Sequence, residues 1–190
     1  MRSMIKSGLA VCLMLAAPAF ATGPQDALRE GGVVLLLRHA ITDPGTGDPP
    51  GFRLDDCSTQ RQLSAEGRAQ AQAYGAMLAK QGVQPAAVFS SAWCRCMETA
   101  ALAFPAQAVK NLPSLNSFFS NADGRAAAQT AALREALQRI PARGVTVWVS
   151  HQVNATALTG EYLAMGEALV LRPDGRGGVR VLGRIGPPGR

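Results

Sequence analysis

The chain has 190 residues, enough for one ordinary domain and short for two. Hydrophobic residues make up 47% and charged residues 17%, a balance that excludes wholesale disorder and supports a packed core. The net charge of +6 contains no Lys/Arg run and aromatics are only 5%, so no nucleic acid is expected as partner. A small anionic ligand fits the arginine excess.

Residues 1–21 read as a signal peptide. Arg2 and Lys6 form a positive start, Gly8 to Pro18 is almost entirely apolar, and Ala19-Phe20-Ala21 has the small-x-small form of a cleavage site. The alternative is a retained N-terminal anchor, although the apolar run is shorter than the ~20 residues a bilayer span needs. The expected product is a secreted or periplasmic domain, residues 22–190, with a net charge of +4 and no membrane span.

Gly32-Val33-Val34-Leu35-Leu36-Leu37 suits a strand buried on both faces, and it ends abruptly at Arg38-His39. Residues 41–62, rich in Pro, Gly and Asp, read as a long surface loop. Ser64 is a good N-cap for an Ala-rich helix to Lys80, closed by Gly82. Ala86 to Phe89 is a second strand, ending at Ser90-Ser91, and a helix from about Ala92 to Ala103 follows. Residues 108–118 suit a short strand and then loop. Ala126 to Ile140 is a helix, Val145 to Val149 a third strand ending at Ser150-His151, and about Asn154 to Met165 a further helix. Strands at 168–172 and 178–185 form a terminal hairpin around Pro173-Asp174-Gly175, and Gly186 to Arg190 is a tail. This alternation predicts an α/β fold: a single three-layer α/β/α domain on a mostly parallel central sheet.

The chain's two histidines, His39 and His151, each fall just past a predicted strand, and Arg95 follows a third strand end within one helical turn. In open α/β sheets that edge is where ligands bind. Arg38 and Arg95 can hold phosphate oxygens through paired charge-assisted hydrogen bonds. The start of the helix bearing Arg95 is expected to add backbone N–H donors. Neighbouring cations disfavour an imidazolium, so His39 is expected to stay neutral and nucleophilic, with His151 donating to the phosphoryl oxygens. No metal or other cofactor is called for, because the arginines supply the positive charge. Ser90 is a candidate phosphate-binding group. Arg61 is either a surface side chain or a contact for an anionic tail. A lone histidine or arginine at such a position is more often structural; the joint pattern carries the argument.

Leu37-Arg38-His39-Ala40 resembles the Arg-His-Gly signature of the histidine phosphatase superfamily, the phosphoglycerate mutase-like branch 1. Three more segments resemble its motifs in order: Arg61-x-Leu63-Ser64-x-x-Gly67-x-x-Gln70-Ala71, Ser90-Ser91-x-x-x-Arg95-x-x-x-Thr99-Ala100 and Val149-Ser150-His151. The resemblance implies a phosphohistidine intermediate on His39, with Arg38, Arg95 and His151 completing the phosphate pocket. Two departures stand out. Ala40 replaces the usual glycine, and Asn116 stands where the family often has a glutamate proton donor. Asn cannot protonate a leaving alkoxide.

Three explanations stay open for the missing acid. It comes from Asp43, Asp48, Asp55, Asp56 or Asp123, with Asp43 the first candidate; or the substrate, such as a phosphohistidine, has a good leaving group; or the site binds phosphates without turnover. Glu98, on the same helix as Arg95, is read as a partner for a basic neighbour.

Of the four cysteines, Cys12 lies in the leader, which leaves Cys57, Cys94 and Cys96 in an oxidising compartment. A bridge from Cys57 to Cys94 or Cys96 would tie the long loop to the helix of Arg95, and free thiols are the alternative. Asn154-Ala155-Thr156 has the form of a glycosylation site, but its place beside His151 argues against a glycan. Four functions compete: a phosphatase acting on a phosphomonoester or phosphohistidine, a phospho-ligand binding protein, a mutase, which would need a lid-like insertion, and a thiol-redox protein, which Cys-x-Cys spacing fits poorly. Oligomeric state is open.

Overall fold

The structure is a computed structural model and describes residues 23–119 and 124–187. The leader 1–21, Asp123 and the last three residues of the tail lie outside the described residues. The element order is α1 (Pro24–Glu30), β1 (Val33–Arg38), α2 (Ala65–Lys80), β2 (Pro85–Ser90), α3 (Cys94–Ala103), β3 (Val109–Asn111), α4 (Arg125–Gln138), β4 (Val145–Ser150), α5 (Gln152–Thr159), β5 (Ala168–Pro173) and β6 (Val179–Ile185). Short 3₁₀ turns sit at Cys57–Thr59 and Pro113–Leu115.

The six strands form one sheet in the order β3-β2-β4-β1-β5-β6. The β3-β2, β2-β4 and β4-β1 pairings are parallel, and β5 pairs antiparallel with both β1 and β6. Alternation along β1 sends Val33, Leu35 and Leu37 to one face, where they pack with Ala27 and Leu28 of α1, Tyr74 and Leu78 of α2, and Ala100 and Ala103 of α3. Val34 and Leu36 go to the other face, with Leu133 and Leu137 of α4 and Ala155 and Leu158 of α5. The result is the expected three-layer α/β/α domain, and the near-continuous apolar run of β1 follows from its burial on both faces.

Three differences from the sequence reading have local causes. The helix expected over 154–165 runs Gln152–Thr159 and stops at Gly160, which takes a left-handed conformation (φ 80°) and caps it through its N–H on the Thr156 carbonyl. Helix α1 was not anticipated: it is seven residues long and buries only Ala27 and Leu28, too short for a periodic signal. The 41–62 loop is tied down along its length. Cys57 pairs with Cys94 at a Cα–Cα distance of 5.6 Å, so the bridge forms with the first of the two α3 cysteines, and Cys96 is a free, buried thiol.

Candidate active site

The parallel strands β2, β4 and β1 are adjacent, so their C-terminal ends open on one edge of the sheet and present Ser90-Ser91, His151 and His39 together. A cavity of about 490 Å³ lies there, lined among others by Arg38, His39, Asp48, Arg61, Arg95 and His151. Both imidazoles and both expected arginines therefore share one space. The two rings are 5.5 Å apart, centroid to centroid, and nearly edge to face.

The backbone after β1 is held by the segments that resembled family motifs. Thr99 Oγ1 accepts from the Ala40 N–H at 3.0 Å and itself donates to the Arg95 carbonyl at 2.6 Å. Gln70 Oε1 accepts from the Ile41 N–H at 3.0 Å. Gly67 has no side chain because α2 presses on residue 41: a Cβ there would lie 1.8 Å from the Ile41 carbonyl oxygen.

His39 is 2% exposed. Its Nδ1 lies 2.9 Å from the Ala40 carbonyl oxygen, an acceptor only, so Nδ1 carries the proton and Nε2 keeps the lone pair. Among the described residues Nε2 has no hydrogen-bond partner. Burial, then the charge of Arg95 and, more weakly, those of Arg38 and Arg61, outweigh the Ala40 hydrogen bond and push the imidazole pKa down to about 3. His39 is thus a neutral nitrogen nucleophile across the physiological range. His151 is likewise held well below its ordinary value, by burial first and then by His39 and the arginines. Its Nε2 sits 2.8 Å from Ser91 Oγ, and its Nδ1 lies 3.5 Å from Arg95 Nη2, which can only donate to it.

Three guanidiniums converge on the cavity, each with one edge tied to protein. Arg38 Nη1 donates to the Leu163 carbonyl at 2.7 Å, and Arg61 Nη1 donates to the Gly45 carbonyl. Arg95 donates from Nη1 and Nη2 to the two oxygens of Asp48 at 2.6 and 3.3 Å. Among the described residues the Nε of all three is buried and without a partner. Such orphaned donors are costly unless an acceptor arrives.

Asp48 is the loop carboxylate that lines this cavity. Arg61 N–H (3.1 Å) and Trp93 Nε1 (2.9 Å) complete its contacts, so four donors occupy its two oxygens. Burial pushes the carboxyl up, but the hydrogen bond and charge of Arg95, with Trp93, hold it below the usual range. Counting the histidines neutral, three arginines against one carboxylate leave the pocket two positive charges, which a phosphoryl dianion would cancel.

Several anticipated residues lie elsewhere. Asp43 is exposed and does not line the cavity. Ser90 is fully buried and donates to the Ser91 carbonyl at 2.9 Å, while its neighbour Ser91 is the serine that meets His151. Asp55 and Asp56 pair with Arg53, and Glu98 pairs with Arg68. Three N–H groups leading into α3 are already taken: Ala92 N by Asn116 Oδ1, Trp93 N by Ser91 Oγ and Cys94 N by Gln60 Oε1. Asn116 thereby holds the turn that leads into α3, and its oxygen also accepts from Ser91 Oγ at 3.3 Å. Asn154 is buried and donates to the Ser114 and Asn116 carbonyls, which leaves no room for a glycan.

A doubly covered sheet thus presents two imidazoles and three guanidiniums at one strand edge, a set of groups able to hold a doubly charged anion. The model of the histidine phosphatase superfamily (branch 1) matches residues 34–117, from β1 through the second-arginine segment. No curated protein sequence matches the chain.

Among solved structures, a protein histidine phosphatase SixA complexed with tungstate is 16% identical, with a TM-score of 0.58, over 81% of this chain and 96% of the other. A mycobacterial glucosyl-3-phosphoglycerate phosphatase with inorganic phosphate is 19% identical, with a TM-score of 0.57, over 78% and 93%. The product of the open reading frame Rv3214 from Mycobacterium tuberculosis is 18% identical, with a TM-score of 0.56, over 78% and 94%. At these identities the likeness establishes the fold.

Proposed function

We propose that the chain is an exported phosphatase that hydrolyses a phosphomonoester, or a phosphohistidine, through a phosphohistidine on His39. One observation carries this reading: a neutral imidazole whose Nε2 lone pair is unclaimed shares a cavity with three guanidiniums whose buried Nε–H groups lack acceptors. His39 Nε2 attacks phosphorus, the bond to the leaving atom breaks, and that atom keeps the electron pair. Arg38, Arg95 and Arg61 balance the phosphoryl charge, and His151, with Nε2 at Ser91 Oγ and Nδ1 beside Arg95 Nη2, stands next to the same anion. Water then attacks the phosphohistidine and releases inorganic phosphate and the original imidazole. The positive charge comes from the protein's own side chains, so the reading needs no metal. Export rests on the leader's charged start, apolar run and Ala19-Phe20-Ala21.

His39→Ala is expected to abolish phosphate release from an aryl phosphomonoester and to prevent acid-labile radiolabelling of the protein. Unchanged turnover in that variant would remove the proposal. The second reading, a binding protein for phosphorylated ligands, draws on Asn116 and on the four-donor saturation of Asp48. Phosphate binding with no phosphoenzyme and no turnover of any ester would decide for it.

A further inference from the structure

The described residues expose five large apolar side chains: Phe52, Leu54, Phe119, Tyr162 and Val181. Three of them, Phe52, Phe119 and Tyr162, line the cavity that holds His39, and Trp93 is a fourth aromatic in its wall. Phe119 and Tyr162 are 64% and 65% exposed, on a chain in which aromatics are scarce. Apolar groups left open in one place, rather than scattered, mark a binding surface.

The aromatic wall begins where the phosphoryl pocket ends. Trp93 stands edge to face against His151 at 5.4 Å, and Phe52 lies 5.9 Å beyond Trp93. The Arg38 guanidinium sits 6.0 Å from the Tyr162 ring centroid. Polar side chains suited to sugar hydroxyls are mostly occupied. Gln152 donates to Thr156 Oγ1 and accepts from Leu163 N–H, and Ser117 Oγ accepts from Phe119 N–H.

Resting on the anion site proposed above, we infer that the substrate is an aryl phosphate, a phosphoryl group on an aromatic oxygen whose ring stacks among Phe52, Trp93 and Tyr162. The leaving group fits the rest of the site. Asp48, the lining carboxylate among the described residues, is saturated by donors and has no proton to give. A phenol, with an ordinary pKa of about 10, departs as its anion more readily than an alkanol. His39 Nε2 forms the P–N bond, the P–O bond breaks, the phenolic oxygen keeps the pair, and it later takes a proton from solvent. A free aryl phosphate and a phosphotyrosine side chain present the same chemistry.

The test compares phenyl phosphate and a phosphotyrosine peptide with glycerol phosphate and glucose 6-phosphate. It measures turnover by the intact protein and calorimetric binding by the His39→Ala variant. Phenyl phosphate is expected to bind at least about tenfold more tightly than glycerol phosphate, in line with one or two ring contacts. Phe52→Ala and Tyr162→Ala, both at exposed positions, are each expected to raise KM for phenyl phosphate roughly three- to tenfold and to narrow the aryl preference. Val181→Ala, as exposed as Phe52 but outside the cavity lining, should change neither.

Equal binding and turnover of the sugar phosphate, or an unchanged KM in both aromatic variants, overturns the inference and leaves the phosphatase reading standing. No turnover of any ester removes the phosphatase reading, while the binding preference of the His39→Ala variant still decides this one. The peptide against free phenyl phosphate tells a protein-borne source from a small one.

Discussion

His39 and His151 are kept uncharged by the same surroundings that make the pocket receptive to an anion: apolar burial and three fixed guanidiniums. That arrangement has a thermodynamic cost in acid. An unfolded histidine takes up a proton near pH 6.5, whereas folded His39 does so only near pH 3. The unfolded chain therefore binds more protons in that window, and stability, full above about pH 6.5, is lost as pH falls towards 3. Each such histidine contributes a slope of about 1.4 kcal/mol per pH unit below its unfolded pKa. Urea unfolding between pH 7 and pH 5, above the range where carboxylates titrate, is expected to show this loss. His39→Asn should roughly halve the slope. A flat profile in the parent protein would mean that both rings are solvated.

At the scale of elements, α2 is the piece whose docking fixes the reacting nitrogen. It crosses the chain just after His39 and packs against α3, and both contacts are made by glycine. A Cβ at Gly67 would meet the Ile41 carbonyl oxygen at 1.8 Å, and one at Gly75 would meet the Ala103 carbonyl oxygen at 1.9 Å. Both Gly67→Ala and Gly75→Ala are expected to destabilise by about 1–3 kcal/mol, the usual cost of forcing atoms into a packed contact. They should part company in activity. Gly67→Ala displaces the backbone that carries the Ala40 carbonyl and should lower kcat even below its melting range. Gly75→Ala, at the far end of the helix, should retain kcat there. Equal kcat losses would show that α2 moves as a rigid body.

The strands and most helices were legible because burial on one or two faces writes itself into the order of apolar residues. The positions of Arg38, His39, Arg95 and His151 followed from the rule that strand ends carry ligands. Asp48 did not follow. The 41–62 loop has four aspartates, and no periodicity says which one folds back onto Arg95 and which stay in solvent like Asp43. Ser91 was passed over for Ser90 because one residue at a strand end decides which side chain points inward, and the boundary could not be placed that finely. The N–H groups of Ala92 and Cys94 looked available only because their partners, Asn116 and Gln60, arrive from distant segments.

Taken whole, the molecule has a regular part, the sheet with its helices, and a long irregular loop that brings Asp48, Phe52 and Arg61 to the cavity. That loop contributes few core side chains, so its placement relies on the Cys57–Cys94 bridge, the Asp48–Arg95 pair and the Gln60 contacts. The bridge closes a segment spanning 37 positions, which on loop-entropy grounds is worth about 3–4 kcal/mol. Replacing both cysteines by serine is expected to lower unfolding free energy by an amount of that order. It should also raise KM more than the stability loss alone accounts for, because Asp48 and Arg61 lose their tether. An unchanged KM would show that the polar contacts suffice to hold the loop.

The third thiol has a use of its own. Cys96 is fully buried against the Ser150 carbonyl and His151, and burial pushes its pKa up to about 12, so the folded protein has no reactive sulfhydryl at this position. A chain that begins after Ala21 and has its bridge intact therefore goes from zero to one titratable sulfur when the central layer opens. A colorimetric thiol reagent added to native protein would report each opening event, without any label or engineered probe.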